Sequence, residues 1–326
     1  MSDLKQKILG MVKDDLVAIE AALADNLTPH LDLVHEIASH ILFSGGKRLR
    51  PLLMVLSAKL CGYKGNFDKT FSTIFEYLHV ATLLHDDLVD GARMRRGKMA
   101  AHLVWDNSKA VLVGDFLLAR ALSISAKTGR MAIIETIADI TENMSQGEIH
   151  QLMRKGALDV TEQEYFEVIR RKTAVLFQGA CRISALIADA GPEKESALSE
   201  YGYNLGLAFQ MADDLLDYTV DSTALGKEVG ADLKEGKLTL PVIYALDAAS
   251  AQDRDKMIHI IKDDNFSATD FKALIDLLNK YGGIAYTQNL ATRHIQRAKK
   301  ALSQFDPSET REIMLEIADY TLARKV

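Results

Sequence analysis

Apolar residues recur at helical spacing almost throughout this chain, and that periodicity limits the fold more than any other feature. Leu4, Ile8, Met11, Leu16 and Ile19 form one amphipathic stripe, and Ile133, Ile134, Ile137 and Ile140 form another. Each repeats as one face of an α-helix does, while long β-type alternations are absent. The five prolines, Pro29, Pro51, Pro192, Pro241 and Pro307, stand at or near the edges of periodic segments, where a missing N–H harms a helix least. Loops are expected at 44–51, 61–66, 92–98, 190–194 and 226–237. No linker-like or low-complexity block divides the chain, so the expectation is a single all-α domain over residues 1–326.

A hydrophobic content of 48% with 26% charged residues is ordinary for a globular protein. The net charge of −6 argues against general nucleic-acid binding. Cys61 and Cys181 sit in apolar helical surroundings and read as core thiols of a reducing compartment. The first residues mix acids and bases without an apolar block, unlike a secretory or transit segment. No apolar run approaches the ~18 residues of a membrane span. A cytoplasmic location is expected.

The pattern DDxxD occurs twice, as Asp86-Asp87-Leu88-Val89-Asp90 and as Asp213-Asp214-Leu215-Leu216-Asp217. Each copy closes an apolar helical run and precedes a loop with lysine or arginine. On a helix turning ~100° per residue, the three aspartates of a copy fall within roughly a third of the circumference. Carboxylates so crowded repel, and some take up protons, unless a cation compensates them. Oxygen ligands without histidine or thiolate select Mg²⁺ or Mn²⁺ over zinc. Mg²⁺ typically uses one or two protein carboxylates together with substrate phosphates. An isolated DDxxD reads first as a solvated acidic face. Two copies, each with basic followers, point instead to two helices presenting acidic ends to one cavity that holds a diphosphate.

Basic residues complete the pattern. Lys47 and Arg50 in SGGKRLRP, the pair Arg95 and Arg96, Lys172 in RRKTA, and Lys227 and Lys237 around GKEVGADLKEGK suit phosphate oxygens. Taken singly each is a surface charge; beside two acidic clusters, phosphate ligation is the better reading. His79 lies two turns before Asp86 and about 20° from it. A lone helical histidine is more often a core residue, but this one shares the acidic face and is a phosphate-contact candidate. His85 points about 100° away from Asp86 and reads as structural.

The ordered set GGKRLRP, LLHDDLVDxxxxRRG, KTA and FQMADDLLDY followed by GKEVGADLKEGKLTLP resembles the trans-isoprenyl diphosphate synthases, or polyprenyl synthetases. The similarity runs from about residue 10 to the C-terminus. It implies antiparallel helices around a deep central cavity, and a homodimer. By matching motif positions it implies that Asp86, Asp90 and Asp213 ligate Mg²⁺, with Asp87, Asp214 and Asp217 in support. Lys47, Arg50, His79 and Arg96 would hold the diphosphate of isopentenyl diphosphate. Arg95, Lys172 and Lys227 would grip the allylic diphosphate, with Lys237 nearby, and Thr173, Gln210 and Gln151 would line the reacting region. The implied chemistry is ionisation of an allylic diphosphate, attack by the double bond of isopentenyl diphosphate, and loss of a proton. It needs no side-chain nucleophile, and no Ser/His/Asp or Cys/His constellation is evident.

Product length turns on the residues four and five before Asp86, where bulky aromatics stop short products in the family. Ala81 and Thr82 stand there, so the product should exceed farnesyl. An octaprenyl chain for quinone side chains is expected, with Ile137 and 122–125 as candidate floors. A hydrophobic product also implies transient membrane contact at release. Competing readings are a geranylgeranyl synthase, a terpene cyclase, a non-catalytic synthase subunit and a helical interaction protein. A cyclase has no use for Lys47, Arg50 and Arg96, and such subunits usually lose one aspartate cluster.

Overall fold

Polar residues set the ends of the helices that the apolar stripes predict. Thr161 and Glu164 form a reciprocal capping box before the helix Glu162–Ile169, and Ser267 and Asp270 do the same for Ala268–Lys280. Each box satisfies two N–H groups that a first turn leaves without an intrahelical partner. Asp106 and Ser250 cap Asn107–Ala126 and Ala251–Ile261 through one side-chain oxygen each. The computed structural model describes residues 3–219, 230–263 and 265–323. Among them the fold is all-α; the strands are two residues each, Met94–Arg95 paired antiparallel with Lys98–Met99. No helix of the described residues is long and apolar enough to cross a membrane.

Several expected loops are shorter than the sequence suggests. The helix Leu49–Leu60 starts inside 44–51, and Pro192 opens its own helix, because proline fits a first turn whose N–H groups have no partner anyway. The hairpin Met94–Met99 fills most of 92–98. Within 226–237, residues 226–229 lie outside the described residues, and Ala231–Lys234 forms a short helix.

The chain groups into two compact units. The first comprises Met1–Thr141, Leu176–Ser199 and Leu302–Glu316. Its centre is the helix Phe67–Val89, which packs against Asn107–Ala126, Leu49–Leu60 and Lys13–Asn26. Phe71, Ile74, Phe75 and Tyr77 of that helix are fully buried, each hydrophobic side chain contributing about 1.5–3 kcal/mol by leaving water. The Tyr77 hydroxyl donates to Leu23 O at 2.7 Å, which removes the penalty of burying it.

The second unit comprises Glu142–Val175, Glu200–Ala301 and Ile317–Val326. One of its cores gathers Val242, Ala245, Leu246, Met257, Leu274 and Leu278. Another gathers Tyr165, Ile169, Ala174, Leu207, Met211 and Leu240, and its Tyr165 and Ile169 form part of the wall of a pocket. Between Glu162–Ile169 and Val175–Ile187 the backbone makes a π-helical turn, Arg170–Ala174.

Candidate active site

In the first unit, the helix Phe67–Val89 delivers the first aspartate cluster at its C-terminal end. Ala92 N–H bonds Asp87 O at 2.8 Å and Gly91 N–H bonds Leu88 O, with Gly91 at φ 65. This is the six-to-one and five-to-two closure of a Schellman end, which requires a left-handed residue that glycine supplies. Asp86 and Asp87 therefore occupy the last turn and Asp90 the C-cap. A helix C-terminus carries negative partial charge, so three carboxylates there are opposed by the dipole as well as by one another.

The three aspartates do not behave alike. Asp86 and Asp90 are half-buried, whereas Asp87 is 1% exposed. Arg95 Nε donates to Asp87 Oδ1 at 2.8 Å and Arg95 Nη2 donates to the same oxygen. Asp87 Oδ2 is buried with no hydrogen-bond partner. Asp87 and Arg95, expected on the metal and on the allylic diphosphate respectively, thus form an ion pair with each other.

The remaining basic residues cluster around a second buried acid. Arg48 donates from Nε to Glu20 at 2.6 Å, from Nη1 to Glu76 at 2.7 Å, and from Nη2 to Leu42 O at 2.5 Å. Arg96 Nη1 donates to Gly45 O at 2.6 Å and to Ile41 O at 3.2 Å, and its Nη2 lies 3.9 Å from Glu76. These bonds tie the 44–48 loop to the hairpin. Lys47 is exposed, and the Arg50 guanidinium lies 4.8 Å from the Phe177 ring centroid, a cation–π distance. His79 is half-buried. Burial first, and then Arg50, Arg96, Arg95 and Arg48, hold its imidazole well below the usual histidine range, so it is neutral at pH 7 and offers one N–H donor. His85 Nε2 lies 3.1 Å from Val111 O. Ala81 is buried and Thr82 half-buried, the Thr82 hydroxyl donating to His79 O at 2.8 Å.

In the second unit, a pocket is lined by Gln151, Tyr165, Lys172, Thr173, Gln210, Asp214, Asp232 and Lys237, among others. Six of the residues singled out in the sequence, Gln151, Lys172, Thr173, Gln210, Asp214 and Lys237, come together here. The π turn presents Lys172 and Thr173, and Gln151 rides on Met131–Met153. These segments approach closely at Gly147, where a Cβ would stand 2.7 Å from Arg171 Cβ and 2.9 Å from Lys172 N. Lys172 Nζ donates to Gln151 Oε1 at 2.9 Å and lies 2.5 Å from Glu148 Oε2.

A hydrogen-bonded chain crosses the pocket. Thr173 Oγ1 donates to Gln210 Oε1 at 2.8 Å, Gln210 Nε2 donates to Asp214 Oδ1 at 2.8 Å, and Tyr165 Oη donates to Asp214 Oδ2 at 2.5 Å. Asp214 is buried and Asp213 exposed, so the middle aspartate turns inward in this cluster as in the other. Burial, reinforced by Asp213 and Asp217, pushes the Asp214 carboxyl up to about 7. Asp232, raised well above the carboxylate range by burial and then by Asp214 and Asp217, adds a further acid. Asp217 accepts the N–H groups of Ala231 and Asp232 at 3.2 and 3.1 Å. Lys237 Nζ donates to Glu235 at 2.7 Å. Lys227 lies outside the described residues.

The donor set fits a hard divalent cation. Both clusters offer oxygen alone, both lie toward the C-terminal ends of their helices, Asp87 Oδ2 is a buried acceptor without a donor, and Asp214 resists ionisation. Among the described residues no three His, Cys, Asp or Glu side chains converge into a ready-made cage. A cation that completes its shell with substrate phosphates needs only one or two protein carboxylates.

Tyr165, Glu148, Asp232, Arg48 and Glu76 escaped the sequence reading. A signal existed for the acids: Glu76 interrupts the apolar run FSTIFEYL, and Asp232 stands in the Gly/Lys-rich segment after the second cluster. Nothing local marks Tyr165, whose partner lies 49 residues away.

The polyprenyl synthetase family profile matches residues 31–278 of this chain. Octaprenyl diphosphate synthase of Escherichia coli K12 is 36% identical over 319 residues, 98% of each chain. An all-trans-nonaprenyl-diphosphate synthase of Rhodobacter capsulatus is 35% identical, over 99% of this chain and 98% of the relative. A polyprenyl synthase of Caulobacter crescentus CB15, solved with calcium and isoprenyl diphosphate, superposes with a TM-score of 0.91 at 37% identity over 98% of both chains.

Proposed function

The chain belongs to the polyprenyl synthetase family and is a trans-prenyltransferase, and from that premise we propose that it condenses isopentenyl diphosphate with an allylic diphosphate. Farnesyl diphosphate is the primer, and the product is a long-chain all-trans polyprenyl diphosphate, octaprenyl in length, for quinone side chains. The observation that carries this reading is the same in both units: carboxylates crowd the negative end of a helix beside lysines or arginines. Such a grouping repels itself until a cation and a polyanion enter together.

In this reading Asp86, Asp90 and Asp213 hold Mg²⁺, for which Mn²⁺ can substitute, with Asp87, Asp214 and Asp217 in support. Bound there, the cation acts as a Lewis acid toward the charge that grows on the departing diphosphate. Lys47, Arg50, Arg96 and neutral His79 bind the diphosphate of isopentenyl diphosphate. Arg95, Lys172 and Lys237, with Lys227, bind the allylic diphosphate and stabilise it as it leaves. Thr173, Gln210 and Gln151 face the reacting carbons. The pocket's apolar residues, Val160, Val168, Ile169 and Leu238 among them, keep water from the allylic cation. The chain acts as a single synthase domain in a cytoplasmic homodimer, and touches the membrane only as the hydrophobic product departs.

Relatives 36% and 35% identical make octaprenyl and nonaprenyl products by name, so product analysis decides length. Purified protein is given farnesyl diphosphate, labelled isopentenyl diphosphate and Mg²⁺, and the products are resolved by chain length. Octaprenyl product that disappears with EDTA and returns with added Mg²⁺ is the expected result. Geranylgeranyl product alone overturns the length, and no incorporation into any prenyl product overturns the reading.

A further inference from the structure

Asp214 accepts two hydrogen bonds, one on each oxygen, and their partners lie on different helices. Tyr165 Oη, from Glu162–Ile169, donates to Oδ2 at 2.5 Å; Gln210 Nε2, one turn earlier on Pro192–Thr219, donates to Oδ1 at 2.8 Å. Asp214 and Tyr165 are both buried, so water does not compete for these positions. With Oδ2 taken by the Tyr165 hydroxyl and Oδ1 by Nε2, the Gln210 carboxamide lies with its NH₂ group toward Asp214. That choice leaves the Gln210 carbonyl oxygen on the opposite side, where the Thr173 hydroxyl donates to it at 2.8 Å. A carbonyl oxygen has a second lone pair, and Lys172, Thr173 and Gln210 line one pocket.

We propose that Tyr165 is a positioning residue which, by holding the Asp214 carboxylate against the Gln210 amide, fixes the Gln210 carbonyl oxygen toward the reacting carbons. The inference rests on the prenyltransferase reading, because the orientation matters only if positive charge develops in the pocket. As the allylic C–O bond breaks, the electron pair leaves with the diphosphate and the carbon becomes cationic. A carbonyl dipole presented oxygen first stabilises that carbon, and one presented NH₂ first opposes it. A dipole held in advance needs no reorganisation as the bond breaks. Without the Tyr165 hydroxyl, Asp214 loses one of its two donors and can rotate, and the amide is no longer held in one sense. The second aspartate of this cluster then serves to orient a dipole, which accounts for its turning inward when Asp213 does not.

The test is a double-mutant cycle on the full-length protein with Tyr165→Phe and Gln210→Ala; the first change keeps the buried ring and so the packing. Tyr165→Phe is expected to lower kcat on the order of 10- to 100-fold, leaving both KM values within about twofold and the thermal midpoint near wild type. In the Gln210→Ala background the same change should have no further effect, since the group it orients is gone. Equal losses in the two backgrounds, or unchanged kcat in Tyr165→Phe, overturn the proposal. A readout independent of turnover is hydrogen exchange of the Gln210 carboxamide in protein labelled with ¹⁵N-glutamine, assigned by its absence in Gln210→Ala. Exchange should quicken at least about tenfold in Tyr165→Phe, as for loss of a hydrogen bond of about 1.4 kcal/mol; unchanged exchange overturns the orienting role. Failure of wild-type condensation alongside quickened exchange overturns the prenyltransferase reading and leaves the hydrogen-bond relay standing.

Discussion

Gly147→Ala isolates the link between helix packing and the pocket. The added methyl would stand 2.7 Å from Arg171 Cβ, 2.9 Å from Lys172 N and 3.2 Å from Arg171 C. Carbon atoms in packed interiors sit about 3.5–4.0 Å apart, so the segments must separate by about 1 Å. The obstructing atoms are backbone and Cβ, and rotating a side chain does not relieve them. Overpacking of this kind costs about 1–3 kcal/mol, and alanine in place of a helical glycine returns about 1 kcal/mol. The net loss is therefore about 0–2 kcal/mol, a fall in thermal midpoint of no more than about 8 °C at the 2–4 °C per kcal/mol typical of domains of 150–250 residues. The displaced segment carries Lys172 and Thr173, however, and a displacement near 1 Å at a reacting site can cost about 10²-fold in rate. Steady-state condensation assays should show kcat down 10- to 100-fold, about 1.4–2.7 kcal/mol of transition-state stabilisation, while circular dichroism melts show a cooperative, folded protein. Wild-type kcat at a wild-type midpoint would refute the claim that this contact places Lys172.

Arg48→Ala should destabilise the protein by about 3–5 kcal/mol in urea titration, because it leaves buried Glu76 without its nearest cation; a change below about 1 kcal/mol would show that Arg96 replaces it. Ala81→Phe should shorten the products, as read by chain-length analysis, and unchanged length would show that position 81 does not face the growing chain. His294, whose Nδ1 lies 2.8 Å from Asn204 Oδ1, is held down to about 4 by burial and then by Arg297. Its unfolded form takes up a proton below about 6.5 and the folded form only near 4, so stability is complete above 6.5 and falls with pH between those values. The slope approaches about 1.4 kcal/mol per pH unit, and His294→Gln should flatten it in pH-dependent denaturant melts.

The helices were legible because their apolar stripes are long and regular, and the aspartate clusters because each closes such a stripe. The inward turn of Asp87 and Asp214 is also written in the chain, and it departs from the shared acidic face that helical spacing alone predicts. Ala81, Leu84 and Asp87 succeed one another at helical spacing and are all buried, as are Leu207, Met211, Asp214 and Tyr218. The apolar stripe runs through the middle aspartate, and that placement commits it to the interior. What no spacing rule supplies is the partner. Arg95 reaches Asp87 only because the hairpin folds back on the helix end, and Arg48 turns toward Glu76 from a left-handed position at φ 47, which few non-glycine residues adopt. Single-sequence periodicity reports which face is buried, whereas ion pairs and hydrogen-bond relays depend on which segments meet.

The π turn at Arg170–Ala174 makes this stretch intolerant of gaps. Such a turn is a helix carrying one surplus residue, so excising a single residue would close it to ordinary winding and take away the wide turn that presents Lys172 and Thr173. Thr173 could not then keep its bond to Gln210 while Lys172 kept Gln151. Working variants of this enzyme should therefore accept changes of residue type here far more readily than any change in residue number.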